Sequence, residues 1–513
     1  MNKRKSKCII NSEDSSIDLS LLSLEKYKEQ VKIYSEMVNE AAKIDFLFNT
    51  LRIESKKINL FQENYLYFQN TQQSNFTNDL VKYCLQKLFN YVSEISDEDD
   101  KEIYVPQDIF LVLITEAYTS NDIKVRYISL EILIEFSHHS TNIAQYFYNK
   151  ENPQEKYLLL LLNLSYYNNY GIVNNVFLLL SNVLSDLNNE LEFILNEFPF
   201  VTRIKEIIYQ DIQFELKKNL INIIEIIVNG LSNVSLYSQF ADFILCFNSC
   251  IINNEIKDEC LFESILKILS SISQDNEVIN QIMNSTISYH IIHFIQIKDL
   301  QSDYLNLLLA ILSNLLFQDY AVTFYLNGGI LPILDKILNT YKNTVNKKDN
   351  IIIKNCVFCL SNITGGTEEQ VAQVMKTKIP QNLLQISKIR NSPMIDYEVY
   401  NFFYNIFIQG ADQDVIQVIK MKSMKLFCEG LNKSTKIENV LICLKSIQML
   451  FKRNYKIYNT ITNLKNEYYG YCAKKNIDLL MNSKNEEVSK EATEINELVE
   501  TAERKIEEDE DIN

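Results

Sequence analysis

Few side chains in this chain are spaced for bond-making chemistry. There are four histidines, His138, His139, His290 and His293. His138-His139 falls in a turn between helical stretches, and His290 and His293 share a helix with no metal partner in view. Cys356-x-x-Cys359 has redox or zinc spacing. It sits in the middle of an apolar helix, and no second Cys/His pair stands at zinc-ribbon spacing, so both thiols read as small buried residues. No Gly-rich phosphate loop, Gly-x-Ser-x-Gly elbow or His-Glu-x-x-His helix occurs. No enzyme, cofactor or metal site is expected. What does recur is asparagine, whose amide carries both donors and an acceptor. Asn182, Asn314, Asn362 and Asn405 stand at equivalent points of similar helices.

Those helices must come from a repeat. Aligning them on Asn362 gives a ladder of Glu135, Asn182, Ile226, Ser271, Asn314, Asn362, Asn405 and Ser446, with spacings of 47, 44, 45, 43, 48, 43 and 41 residues. Helical repeats of the armadillo and HEAT kinds run at about 40–47 residues. Leu180-Ser-Asn182, Leu312-Ser-Asn314 and Leu360-Ser-Asn362 share a signature. The chain has 513 residues, 9 Gly and 6 Pro, and helical spacing from about 77 to 503. Compact single cores stop growing near 250–300 residues, so one continuous array is expected. Gly230, Gly328-Gly329, Gly365-Gly366, Gly410 and Gly430 fall where helices should end, since Gly tolerates the left-handed conformation.

The segment Asn355-Cys-Val-Phe-Cys-Leu-Ser-Asn-Ile-Thr-Gly-Gly-Thr-Glu-Glu-Gln370 resembles the third helix and following turn of an armadillo repeat from importin-α. That family writes Trp-x-x-x-Asn followed by Ile-Thr-x-Gly-Thr-Glu-Glu-Gln. Tyr325-Leu-Asn-Gly-Gly-Ile-Leu-Pro-Ile-Leu334 is similar to the start of such a repeat. The resemblance spans about residues 45–510 and is most specific over 305–410. It implies an all-α, right-handed superhelical solenoid of about nine to ten repeats over residues 77–503, with third helices lining the concave face. It also implies a function: an adaptor that binds the basic nuclear-localisation signals of cargo. The Asn amides would grip an extended peptide backbone. The residue four earlier, on the same helix face, would hold a Lys or Arg stem by cation–π attraction.

Carried over position by position, the late repeats keep Asn314, Phe358 in place of Trp, Asn362, Glu398, Asn401 in place of Trp, and Asn405. These form a site like the family's smaller one, and the resemblance implies that a basic cargo segment binds mainly along this late-repeat groove, the larger early site being degraded. The early repeats keep Asn182 and Asp186, while Glu131, Leu178 and Asn222 fall at the Trp positions; the chain has no Trp. The same asparagines could instead bond neighbouring turns and fix the repeat geometry, and for Asn182 alone that reading stands level.

Partners follow from the same resemblance: basic peptide or protein cargo, importin-β through an amino-terminal helical segment, and the export receptor of importin-α through the last repeats. Residues 1–20 read as disordered, 21–70 as that helical segment, and 504–513 as an acidic disordered tail. The basic clusters of an importin-β-binding helix are largely missing from 51–64. The net charge of −16 argues against a nucleic-acid-binding body and suits basic partners. No apolar run reaches the roughly 20 residues of a membrane span. With ten unpaired-looking cysteines and no secretory signal read at the start, free thiols in a reducing compartment are expected, and hence the cytoplasm and nucleus. The competing expectation is an armadillo scaffold without transport function that binds partners through another surface.

Overall fold

The computed structural model describes residues 73–93, 104–140, 142–148, 157–297, 300–344, 346–390, 392–433, 436–454, 468–471 and 473–511. The amino-terminal expectations for 1–20 and 21–70 lie outside the described residues. Among the described residues there are helices and short 3-10 turns and no strand. Where the spacing suggests one array, the chain forms two compact units that divide between Gly230 and Leu231.

Most of the described chain is a stack of helix triplets, two short helices or turns followed by a longer third; the first is opened by the longer helix Gln73–Val92. The third helices are numbered here in chain order. Unit 1 holds α1 (Ile123–His139), α2 (Tyr170–Asp186) and α3 (Phe214–Gly230). Unit 2 holds α4 (Glu259–Ile272), α5 (Ser302–Leu315), α6 (Lys347–Thr364), α7 (Pro393–Gln409), α8 (Ile437–Asn454) and α9 (Glu486–Asp511). Neighbouring third helices pack directly on one another within each unit. The backbone of α9 continues as helix through Asp511, into the stretch that composition reads as a tail.

Local signals explain each triplet, and α6 illustrates them. Asn346 caps its start, its side chain accepting from the Asp349 amide at 2.8 Å. Ile352, Ile353, Cys356, Val357, Cys359, Leu360 and Ile363 are buried; that spacing marks a wide apolar stripe. Each such side chain removed from water contributes about 1.5–3 kcal/mol. Cys356 and Cys359 are therefore core, as their spacing within an apolar helix suggests. Gly365 closes the helix, and Thr367 with Gln370 opens the next by a capping box.

Two glycines show different demands. Gly329 has φ +77, with open space around its missing Cβ, so backbone conformation selects glycine there. Gly430 lies inside the helix Ser423–Lys433 and not at a helix end. A Cβ there would stand 2.6 Å from Cys443 Sγ and 2.7 Å from Tyr400 Oη, so the close approach of this helix to α7 and α8 selects it.

Candidate peptide-binding face

Three rows of contacts run across the third helices, and they decide what each sequence-predicted residue can do. The first is the ladder itself. Asn182 Nδ2 donates to Ser137 Oγ at 2.8 Å, Asn314 Nδ2 to Ser273 Oγ at 2.9 Å and the Ser270 carbonyl at 3.2 Å, Asn362 Nδ2 to the Ser313 carbonyl at 2.8 Å, and Asn405 Nδ2 to the Ser361 carbonyl at 2.9 Å. Each acceptor lies on the preceding third helix or, for Ser273, at its C-cap. Where the ladder residue is Ile226, Asn222 one turn earlier takes the bond, donating to Ser181 Oγ at 2.9 Å. The four ladder asparagines are half-buried. Each amide so anchored retains its Oδ1 acceptor, while the nitrogens of Asn314 and Asn405 each reach two acceptors and that of Asn182 also lies against His138 Nε2.

The second row lies two turns earlier and joins the residue eight before one ladder position to the residue seven before the next. Asn219 Nδ2 donates to Asn174 Oδ1 at 3.0 Å and Asn355 Nδ2 to Asn306 Oδ1 at 2.6 Å; Tyr127 faces Asn175 in the same register. Lys354 and Glu398 occupy the equivalent places on α6 and α7, and Lys354 favours the ionised form of Glu398. Glu398 is only 7% exposed, and burial pushes its carboxyl up to about 7. Glu398, expected in the smaller site, is thus an interior rung. The helix face it shares with Asn401 and Asn405 could be read from sequence, but not its opposition to Lys354.

The third row joins the residue three after one ladder position to the next ladder residue. His138 Nε2 lies 3.2 Å from Asn182 Nδ2. A Cβ on Gly365 would stand 3.3 Å from Asn405 Nδ2. Phe317, in the turn after α5, stands at this position relative to Asn314 and is 78% exposed. Sequence reasoning missed it, although Phe317 immediately follows the Leu-Ser-Asn signature helix.

Phe358 and Asn401, at the two Trp positions, are half-buried on α6 and α7 and take no part in the inter-helix bonds. In unit 1, Glu131 and Glu135 are half-buried and Asp186 is exposed. Burial raises the Glu131 carboxyl, partly offset by a hydrogen bond with Tyr127, and the charge of Glu135 raises it further. Burial also raises Asp186, against a smaller opposing effect of His138. None of the three forms an ion pair with Lys or Arg among the described residues. No group of His, Cys, Asp and Glu among the described residues is arranged to hold a metal ion.

No family model and no curated relative matches the chain. Solved structures do. An engineered protein superposes with a TM-score of 0.60 at 14% identity, over 82% of this chain and 95% of that one. A structure from work on the phosphorylation-switched interaction of cadherin with β-catenin superposes with a TM-score of 0.55 at 11% identity, over 73% and 66%. A designed armadillo repeat protein in complex with the peptide (KR)4 gives a TM-score of 0.41 at 18% identity, over 47% and 94%. The likeness is one of fold: the chain is an all-α solenoid of the armadillo-repeat kind.

Proposed function

We propose that this protein is a non-enzymatic binding scaffold that takes an extended segment of a partner across its third helices. The observation that carries this reading is the anchored asparagine row. An amide fixed through its nitrogen to the preceding helix presents its Oδ1 acceptor at the repeat spacing, which suits the backbone N–H groups of an extended chain. Ordering the Asn314, Asn362 and Asn405 amides of unit 2 in advance lowers the entropic cost of binding there.

The finer form of the reading is an import adaptor for Lys/Arg-rich signals, working in the cytoplasm and nucleus. Charge favours unit 1 for such a segment, because Glu131, Glu135 and Asp186 lack cation partners while Glu398 of unit 2 is interior. Engagement of importin-β and of an export receptor belongs to this finer form. A fluorescein-labelled Lys/Arg-rich peptide titrated into the wild type, into Glu131→Gln/Glu135→Gln and into Asn362→Ala/Asn405→Ala tests both levels. Affinity lost only in the carboxylate variant supports a cationic segment on unit 1. Equal affinity in all three proteins would sink the cationic reading. Nuclear accumulation of a tagged chain, with pull-down of importin-β, separates an adaptor from a scaffold.

A further inference from the structure

Asn182 has an ionisable neighbour across the helix interface, and its own orientation is set by Ser137. The Ser137 hydroxyl donates to the Ile134 carbonyl at 2.6 Å within α1. Toward Asn182 it therefore has only lone pairs to offer. Asn182 answers with its nitrogen, 2.8 Å from Ser137 Oγ, and the same nitrogen lies 3.2 Å from His138 Nε2. An amide nitrogen is a donor only. The contact with His138 thus requires a lone pair on Nε2. A neutral imidazole with its proton on Nδ1 supplies one, and an imidazolium, a donor at both nitrogens, does not.

A proton on His138 would set N–H against N–H, and the ring has an alternative partner. Asp186 lies one turn after Asn182 on the same face of α2. It is exposed and within electrostatic reach of His138. On its own helix His138 has Glu135 one turn earlier and His139 beside it. The helices Gln73–Val92, Gln107–Thr119 and Asn142–Phe147 also pack on α1, and among the described residues they place no hydrogen bond or ion pair on His138.

We infer that His138 is a proton-operated regulator of the unit 1 face. Neutral, it helps hold the Asn182 amide with its oxygen left to accept; protonated, it leaves Asn182, turns to Asp186 and weakens the hold of unit 1 on a cationic segment. This rests on the reading of unit 1 as a face for a Lys/Arg-rich segment and adds its regulation. Two effects share one sign. The new positive charge offsets a carboxylate that attracts the segment. The Asn182 amide also loses one of the two contacts that order it in advance. Imidazoles as a class change charge between pH 5 and 8, so the weakening belongs to mildly acidic solution.

The test titrates an unlabelled Lys/Arg-rich peptide into the full chain by calorimetry at pH 8 and pH 6. Wild type should bind about threefold more weakly at pH 6, the size expected of one exposed charge pair. His138→Gln, neutral at both pH values, should lose much less. Glu131 is present in both proteins, so any protonation of its carboxyl cancels in the comparison. The ratio between the two pH values is the readout, which makes the variant's absolute affinity immaterial. His138 is exposed, and an unchanged circular dichroism melt checks that its replacement leaves the fold intact. Equal falls in the two proteins, or no fall in wild type, would overturn the inference and leave the cationic reading of unit 1 standing. No binding at either pH would remove that reading and the inference with it. A second measurement needs no partner. Nitrogen NMR of histidine-labelled protein at pH 8, with the His138 signals assigned by their absence from His138→Gln, should show the Nδ1-protonated tautomer. The Nε2-protonated tautomer there would overturn the inference whatever the peptide does.

Discussion

The Asn362 side chain donates to the backbone carbonyl of Ser313, 2.8 Å away on the preceding third helix. The residue proposed to grip a partner's backbone is therefore also a tie between repeats, and on that proposal binding and stability are coupled at that position.

That coupling has a measurable sign. Asn362→Ala should lower stability by about 0.5–1.5 kcal/mol, the net value of a hydrogen bond. Asn401→Ala, which breaks no inter-helix bond, should stay within about 0.5 kcal/mol of wild type. Chemical unfolding followed by circular dichroism compares them. Equal midpoints for the two variants would show that the Ser313 bond contributes nothing.

Glu398 gives the chain a pH dependence. Its carboxyl is raised from 4.5 to about 7, so the folded protein favours the protonated form. The stabilising share of that preference is complete below about pH 4.5 and is lost as pH rises through about 7. Melting temperature should fall between pH 5 and pH 8. Glu398→Gln should flatten that fall and stand about 1–3 kcal/mol above wild type at pH 8. Parallel pH profiles for the two proteins would refute it.

Gly430 should tolerate no side chain. A methyl group there meets Cys443 Sγ and Tyr400 Oη inside 3 Å, and overpacking of this kind costs about 1–3 kcal/mol. Gly329→Ala should also destabilise, by about 1 kcal/mol, through its φ of +77 alone. Only the Gly430 variant should recover when Cys443 is also replaced by Ala. Thermal melts of the single and double variants check this.

Thiol accessibility separates core from surface. Cys260 is exposed, while Cys84, Cys246, Cys250, Cys356, Cys359, Cys428 and Cys443 are buried. Burial raises the thiols of Cys356, Cys359 and Cys443. Of these eight, only Cys260 should react quickly with a colorimetric thiol reagent in the native protein. Mass mapping of the labelled peptides decides; rapid labelling of Cys356 would contradict the packing of α6.

The sequence by itself determined the class of fold and most of the register. A spacing of 41–48 residues between ladder positions and apolar stripes at helical period leave few alternatives to stacked triplets. Even Ile226 is placed correctly, since Asn219 and Asn355 each stand seven residues before the ladder position and make the same rung. Helix periodicity fixes which side chains share a face. It does not fix which side chain of the next helix they meet. Packing of α5 on α6 and of α6 on α7 decided that the ladder amides cross to a preceding carbonyl. The same packing buries Glu398 opposite Lys354 and leaves Phe317 uncovered. The division between Gly230 and Leu231 also belongs to tertiary structure, since the residue spacing runs on without a break there.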